Sequence, residues 1–332
     1  MTATRDLILH IGHFKTGTTA LQVFFEANRA ALAAEELVYA ETGLNRSKHS
    51  ELAFSVLKAA GVEALMFGYE DKIPPAALWS QLLAEARALP QGHALLISSE
   101  EFIRFGAHPG AMTILRGHLA ETADLRIRAV AYLRPPQAHL ESYYNQLIKM
   151  GMPVAGFDGT VLGQLEPVHW DYAQAIHPWV DLLGPENVVL RQFADDLRQG
   201  DRLFRDFFAA LDRRLPESLN PPEGDINPRL DASLLPINRV VQRARLKPRA
   251  ERLLRSALQE SLLAERGEAG GVDFDLLRDQ AEAGIEALAR LPHSGIDPDV
   301  MKAALPRPQP PEDRLRDEMT AMLLGEIISL RE

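Results

Sequence analysis

Residues Leu7 to Gln22 read LILHIGHFKTGTTALQ, and this stretch decides the fold. It begins with an apolar run that can form a buried strand, and a helical pattern runs from Thr18 to about Ala34. The turn between them is bounded by Gly12 and Gly17. Glycine lets the backbone approach an anion, the N–H groups of such a turn point inward, and the helix start presents the positive end of its dipole. The stretch therefore predicts a phosphate-binding loop between a strand and a helix.

The lysine of this loop does not stand where nucleotide-binding loops have it. The nucleotide P-loop has the pattern GxxxxGK followed by Ser or Thr. Here Gly17 is followed by Thr18 and Thr19, and Lys15 lies inside the loop, three residues after Gly12. We expect this cation to approach the bound group from a different side than the lysine of nucleoside-triphosphate enzymes.

A second basic motif follows another apolar run. Residues Arg128 to Leu133 (RAVAYL) are typical of a buried strand, Arg134 comes next, and Ser142 follows eight residues later on a helical segment. A guanidinium can hold two phosphate oxygens at once, and a hydroxyl on the first turns of a helix adds a neutral donor. These residue types indicate a second anion site.

Together the two motifs resemble those of sulfotransferases that use 3′-phosphoadenosine 5′-phosphosulfate (PAPS). The resemblance covers the strand, the K-T-G-T-T turn and its helix, and then the Arg and Ser at their usual spacing, followed by Tyr143 and Tyr144. It implies an α/β fold with a P-loop NTPase-like central parallel sheet flanked by helices. The residues that it assigns to the 5′-phosphosulfate are Lys15, Thr16, Gly17, Thr18 and Thr19, and those that it assigns to the 3′-phosphate are Arg134 and Ser142.

The chemistry of sulfuryl transfer explains these residue types. Transfer of SO₃ develops negative charge on the leaving phosphate oxygen, and Lys15 beside the bridging oxygen would stabilise that charge most in the transition state. The 3′-phosphate distinguishes PAPS from ATP, so the site at Arg134 would exclude ATP. The expected product is adenosine 3′,5′-bisphosphate (PAP).

A hydroxyl or amine acceptor must lose a proton as it attacks, so a base is required. Glu100 and Glu101 follow the apolar run Ala94 to Ser98, at the strand end where open α/β sheets bind ligands. In cytosolic sulfotransferases a catalytic histidine leaves the corresponding strand, and the resemblance places Glu100 there. The adjacent carboxylate offers a route to a raised pKa. His49, in the polar segment NRSKHS, is the alternative base.

No metal site is predicted. His10 and His13 flank the loop, but no pair among these histidines and His49 has the spacing of a zinc site, and the chain has no cysteine. The proposed transfer does not require a metal ion.

Bulk properties fit an ordinary globular enzyme. The chain has 332 residues and a formal net charge of −10, which argues against general nucleic-acid binding. No segment has the uninterrupted apolar length of a membrane span, and the amino terminus lacks a signal-like pattern. With no cysteine, a reducing compartment is expected, and we predict a cytoplasmic protein.

Composition divides the chain near residue 220. Strands and helices alternate up to that point, whereas helical spacing prevails after a proline-rich turn region, so we predict an α/β core at 1–220 and an α-helical region at 221–332 packed on it. In the sulfotransferases that the chain resembles, a basic segment near the carboxyl terminus closes over the 3′-phosphate. The resemblance therefore makes a residue of the arginine-rich run from Arg239 to Arg255, or Arg229, a candidate for that role. A final helix, Asp313 to Leu330, is expected to dock on the domain or on a partner subunit of a homo-oligomer.

Two further segments bear on the site. Gly151 to Pro167 is predicted to be a long loop that borders the acceptor site. Phe193, after the strand Val188 to Gln192, is a candidate to stack on the adenine, although a core position is the stronger expectation.

Other functions remain open at this stage. A P-loop kinase or nucleotidase would share the fold, but it would normally have a lysine directly after the second glycine and a metal-binding Asp at a strand end. A catalytically silent PAPS-binding module is the third reading. The acceptor is undetermined among sugar, lipid, small-metabolite and peptide hydroxyls.

Overall fold

A six-stranded parallel sheet organises the chain. The computed structural model describes residues 5–63, 73–150, 152, 154–221 and 273–309. Within these ranges the strand order is β2-β3-β1-β4-β5-β6, and all neighbouring strands are parallel. The strands are β1 Arg5–His10, β2 Leu37–Tyr39, β3 Ala94–Ser98, β4 Leu125–Leu133, β5 Val188–Gln192 and β6 Ser294–Gly295. The predicted α/β class with a central parallel sheet is confirmed.

Helices cover both faces of this sheet. They are α1 Thr18–Ala27, α2 Arg29–Ala34, α3 Ser50–Ala59, α4 Pro75–Ala88, α5 Pro109–His118, α6 Pro136–Lys149, α7 Phe157–Gly163, α8 Tyr172–Leu183, α9 Arg202–Ala210, α10 Phe274–Ala289 and α11 Pro298–Lys302. Short 3₁₀ segments lie at Glu100–Ala107, Pro167–His169, Pro185–Asn187 and Asp195–Arg198.

Strand alternation produces two buried clusters. In β1, Leu7 and Leu9 belong to one apolar cluster, whereas Ile8 belongs to the other. Successive side chains of a strand point to opposite faces, so one apolar run can serve both layers. The second cluster contains the aromatic side chains of α1 and α9, including Phe24 and Phe207. The two layers hold β1 in the middle of the sheet, with the loop at its carboxyl end.

The first helix is shorter than the sequence predicts. A single helix from Thr18 to Ala34 is wrong, because the chain breaks at Asn28 into α1 and α2. The Asn28 side chain donates to the Phe24 carbonyl at 2.9 Å and to the Asn220 carbonyl at 3.2 Å. Asn competes for backbone groups in this way, and the break follows from it.

The segment Gly151 to Pro167 is not wholly a loop, contrary to the prediction. Residues Phe157–Gly163 form α7, and Phe157 and Val161 are buried against the core. Gly156 precedes the helix in an extended conformation. A short helix that starts after Gly156 and ends at Gly163 therefore interrupts the segment.

Within residues 273–309, strand β6 pairs with the sheet and helix α10 packs on α8. β6, a two-residue strand that the sequence does not predict, pairs with β5. A Cβ atom on Gly284 of α10 would lie 2.9 Å from the Ala173 backbone nitrogen, so α10 packs closely on α8. The boundary at 220 stays a prediction, and Arg229, the run Arg239 to Arg255 and the final helix Asp313 to Leu330 lie outside the described residues.

Among the helices that the structure describes, none combines the length and the apolar character needed to cross a membrane.

Candidate functional site

The loop after β1 has the backbone of an anion cradle. Gly12, Lys15 and Gly17 have φ angles of 58°, 64° and 81°. The left-handed region is unusual for a residue other than glycine, so Lys15 is held in a strained conformation. Gly17 is the N-cap residue of α1 and leaves the loop directed at the start of that helix. The predicted strand, loop and helix are therefore present.

Two threonine hydroxyls stabilise the loop itself. Thr16 Oγ1 and Thr18 Oγ1 both donate to the His13 carbonyl, at 2.7 and 3.1 Å, and the His13 amide donates to Thr16 Oγ1 at 3.3 Å. Thr16 is fully buried, whereas Thr19 is exposed. Of the three threonines, Thr19 is the one whose side chain reaches the surface.

Lys15 connects the loop to α6. Its Nζ donates to Gln146 Oε1 at 3.2 Å. The same helix carries Ser142, which is buried, and its Oγ has no hydrogen-bond partner among the described residues. Helix α6 therefore contacts the loop through Gln146 and carries Ser142 of the second motif.

Arg134 follows β4, the parallel neighbour of β1. Parallel strands end at the same edge of a sheet, so the structure brings this arginine to the edge that carries the loop. The side chain is almost fully buried, and its Nη2 donates to Asp195 Oδ1 at 3.1 Å. The Arg134 carbonyl accepts from the Tyr172 hydroxyl at 2.7 Å, which fixes the end of the strand.

Glu100 lies against the loop. A Cβ atom on Gly12 would lie 3.3 Å from the Glu100 Cα, so the two backbones are nearly in contact. Gln22 Nε2 donates to Glu100 Oε2 at 3.0 Å, and Lys48 Nζ donates to Oε1 at 3.4 Å. The carboxylate predicted as the base is therefore beside the cradle and paired with a cation.

Glu101, the residue after Glu100, has a carboxyl group with a raised pKa. Glu101 is fully buried, and burial, reinforced by the charge of Glu100 and opposed by that of Arg104, raises its pKa from 4.5 to about 7. Arg104 Nη1 lies 3.5 Å from Glu101 Oε2. The sequence indicated that two adjacent carboxylates would perturb each other, but only the fold determined which of them is desolvated.

His49 is held by backbone groups on both sides of its ring. Its Nδ1 accepts from the Ser98 amide at 3.1 Å, and Nε2 donates to the Ala40 carbonyl at 3.0 Å. The ring is fully buried, with an exposed fraction of 0%. Burial lowers its pKa to about 4. In this arrangement His49 joins the ends of β2 and β3, and neither nitrogen is available to take a proton.

A cavity of about 270 Å³ opens next to the loop and Glu101. Its walls combine apolar and charged side chains: Phe14, Glu101, Arg104, Tyr143, Leu147, Met152, Val154, Gln164, Leu165, Glu166 and His169. Five of these residues come from the segment that the sequence placed beside the acceptor.

An ion-pair network forms the polar wall of the cavity. Arg104 Nε and Nη2 donate to Glu166 Oε2 and Oε1 at 2.9 and 2.7 Å, and His108 Nε2 lies 2.9 Å from Oε1. Burial works to raise the pKa of Glu166, but hydrogen bonds from His108 and Arg104 outweigh it and lower this pKa to about 2. Glu166 is therefore ionised over the whole neutral range.

Three histidines that sequence reasoning did not connect lie together beneath the loop. They are His13, His139 and His169, all buried, and one ring nitrogen of each lies within 4.8 Å of the others. Their positions in the sequence are far apart, so no spacing rule could find them. His10 is separate, with Nδ1 at 2.8 Å from Ser98 Oγ.

Phe193 is almost completely buried beneath Gly17. A Cβ atom on Gly17 would lie 3.0 Å from the Phe193 ring, and the Arg198 guanidinium lies 5.5 Å from the centre of that ring. Tyr143 and Tyr144 are also buried, and both belong to the core. The sequence favoured a core position for Phe193, and the structure places its ring in the core.

Comparisons with known proteins end at the level of the fold. No protein-family model matches the chain, and no curated protein matches it either. Among solved structures, the chain is similar to a sulfotransferase from Alicyclobacillus acidocaldarius, with a TM-score of 0.42 and 16% identity over 73% of this chain and 94% of that one. It is also similar to the sulfotransferase domain from the curacin biosynthetic pathway, with a TM-score of 0.35 and 17% identity over 67% and 78% of the two chains. Both likenesses are too distant to assign an activity.

Proposed function

We propose that this chain is a PAPS-dependent sulfotransferase that moves a sulfuryl group to a hydroxyl or amine of an acceptor by in-line displacement. The observation that carries the proposal is the arrangement of two anion-binding motifs at the ends of the neighbouring parallel strands β1 and β4. PAPS has an anionic phosphosulfate at one end and a 3′-phosphate at the other. A donor of this shape requires two separate anion sites on one edge of the sheet.

The loop supplies the phosphosulfate end of the site. The φ angles of Gly12, Lys15 and Gly17 turn the backbone around a concave surface at the start of α1. Such turns present N–H groups to an anion. Lys15 adds the positive charge that the leaving phosphate oxygen needs, and its bond to Gln146 holds it on the side of α6.

Arg134 and Ser142 supply the 3′-phosphate end. Arg134 is buried at the end of β4, and Ser142 brings an unpartnered hydroxyl, as judged from the described residues, on the helix that follows. A buried guanidinium next to a phosphate forms strong, directional hydrogen bonds. Asp195 holds the guanidinium in the present structure and would compete with the phosphate for it.

The reaction has a simple balance. The acceptor oxygen or nitrogen forms a bond to sulfur, the bond from sulfur to the bridging phosphate oxygen breaks, and PAP leaves with the added negative charge beside Lys15. We propose Glu100 as the base that takes the acceptor proton, because it adjoins the loop where sulfur would lie. Glu101 lines the cavity and has a pKa raised to about 7, so it is the matched comparison.

Calorimetry tests the donor site. PAP should bind much more tightly than AMP or ATP, and Arg134→Ala should remove most of that preference, with a loss of roughly 10- to 100-fold in PAP affinity. Arg126→Ala is the control, since Arg126 is exposed at the opposite end of the same strand. Equal affinity of the native chain for AMP and PAP would refute the 3′-phosphate assignment, and magnesium-dependent ATP hydrolysis would favour a kinase or nucleotidase.

Isosteric replacements test the base. Glu100→Gln should leave PAP binding intact and abolish transfer, whereas Glu101→Gln should retain most of the transfer activity. The measurement is PAP release from PAPS in the presence of a panel of hydroxyl acceptors. The opposite result would make Glu101 the base, and retained turnover in both variants would exclude both carboxylates as the base.

A further inference from the structure

We propose that His13, His139 and His169, the histidine cluster, bind a divalent transition-metal ion of the zinc type. The three side chains come from the loop, from α6 and from the 3₁₀ segment Pro167–His169. One nitrogen of each lies within 4.8 Å of the others. Imidazole is a common ligand of zinc, and three protein ligands with one open position form a recognised type of zinc site. This inference does not depend on sulfuryl transfer.

The hydrogen bond of His13 leaves one of its nitrogens ready to bind an ion. Its Nε2 lies 2.9 Å from the Val168 carbonyl, and a carbonyl only accepts, so Nε2 carries the proton. Nδ1 then has a lone pair, and it is buried with no hydrogen-bond partner in the described part of the chain. Metal-binding histidines typically donate their other N–H to a carbonyl or carboxylate in this way.

The other two rings already direct nitrogen atoms at each other. His139 Nε2 and His169 Nδ1 are 2.9 Å apart, with one proton between them, and the rings are inclined by only 16°. A zinc ion bound at about 2.0 to 2.1 Å from each nitrogen sets tetrahedral ligands about 3.4 Å apart, so these two rings must separate by about half an ångström. The shared proton moves to the outer nitrogen of the ring that carries it, and both rings stay neutral.

The surroundings suit a neutral ligand set with one open position. His13 and His139 are fully buried and His169 is almost fully buried, so the cluster is shielded from bulk water. His169 also lines the cavity, which offers an entry path and space for a water molecule as fourth ligand. The negative charge of Glu166 acts on His169 and partly balances the added charge of the ion.

Such an ion would tie the donor loop to its supports. His13 directly follows Gly12, His139 is three residues before Ser142, and His169 borders the cavity. Three elements that hydrogen bonds and ring packing now join would share one metal centre. The expected consequence is a more stable chain with a more rigid loop.

Metal binding is tested on full-length protein without a histidine tag. Zn²⁺ titration against a competing chelator should give one tight equivalent, and Co²⁺ should give the intense visible absorption of a tetrahedral site. His139→Gln and His169→Asn should each weaken binding at least ~100-fold. His177→Asn is the matched control, because His177 is exposed on α8 and should not change the affinity.

Thermal unfolding supplies a second readout. Excess Zn²⁺ should raise the melting temperature of the native chain by roughly 5 °C and leave that of His139→Gln unchanged. Weak or absent Zn²⁺ binding by the native chain would overturn the proposal, as would equal binding by His139→Gln and His177→Asn. If both cluster variants fail to fold, the Co²⁺ spectrum and stoichiometry of the native chain decide the matter alone.

Discussion

The proposed donor edge and the cavity beside it are built in different ways. The donor edge consists of two short segments, the loop Gly12–Gly17 and the stretch from Arg134 to Ser142, each contiguous in the sequence. Its charge is cationic and its shape comes from backbone angles. The cavity draws on residues from Phe14 to His169 and is lined by a network of Glu101, Arg104 and Glu166.

The properties of the loop come from local sequence, whereas those of the cavity come from tertiary contacts. A loop of fixed φ angles binds an anion through its own backbone, so its chemistry is present wherever its sequence folds. The pKa and the reactivity of a carboxyl group in a cavity depend on the residues that pack around it. Adjacent residues show this clearly: Glu100 pairs with Lys48, whereas Glu101 is buried and has a pKa of about 7.

Removal of the loop cation should have the largest effect. Lys15→Met should lower the turnover of PAPS by roughly 10²- to 10³-fold, because the developing charge on the leaving oxygen loses its partner. PAP affinity should fall by less than about 10-fold. The assay is PAP release under saturating PAPS.

Lys58→Met, on the exposed side of α3, is the control for Lys15→Met and should behave as the native chain. If the two lysine variants had the same turnover, the donor edge would not owe its chemistry to Lys15.

Burial of Glu101 in the cavity should contribute to the pH dependence of stability. The Glu101 pKa is raised from 4.5 to about 7, so between these pH values the folded chain retains a proton that the unfolded chain loses. The difference in unfolding free energy between the native chain and Glu101→Gln should therefore fall as pH rises through this window, by an amount of the order of 3 kcal/mol, and level off above it. The buried histidines, whose pKa values are lowered, act in the opposite direction in both chains and cancel in this difference. Denaturant unfolding from pH 4.5 to 8 measures the effect.

Glu101→Gln should remove that contribution, whereas the exposed Glu63→Gln should preserve it. An unchanged pH profile in Glu101→Gln would mean that the cavity does not desolvate this carboxyl group.

The backbone of the donor edge is tested by two glycine replacements. Gly17 and Gly61 have φ angles of 81° and 84°, so Gly17→Ala and Gly61→Ala share the same backbone strain. A Cβ atom at Gly17 would lie 2.6 Å from Leu203 Cδ2, whereas nothing lies within 4 Å at Gly61. Gly61→Ala should cost about 1 kcal/mol of unfolding free energy, and Gly17→Ala about 1 to 2 kcal/mol more. Equal losses in denaturant unfolding would show that the helix start tolerates a side chain.

The smallest effect is expected from replacing Asp195, an exposed acid that pairs with Arg134 of the donor edge. Asp195→Asn removes the negative charge that holds Arg134, and PAP affinity should rise about 2- to 5-fold, because the pair is partly screened by solvent. Asp196→Asn is the control, since Asp196 pairs with Arg202 instead. A fall in calorimetric PAP affinity for Asp195→Asn would mean that Asp195 positions the guanidinium rather than competing for it.

Much of the donor edge was predictable, and much of the cavity was not. Both motifs and their strands follow from apolar runs and residue spacing, whereas the parallel sheet was implied by the family resemblance. The break at Asn28 and the helix Phe157–Gly163 did not, because a side-chain hydrogen bond and burial against the core decided them. The placement of His49 is another example, since its polar flanks gave no sign that the ring would be buried between two strand ends.

The sequence by itself determined the strand, loop and helix around Lys15, the pairing of this motif with Arg134 and Ser142, and hence the class of donor to test. These features are local, and their geometry is set by residue type and short spacing. Only the tertiary structure decided which glutamate is desolvated, which side chains enclose the cavity, and that His13, His139 and His169 meet. Those properties arise from contacts between residues up to 156 positions apart, from 13 to 169, which no local pattern records.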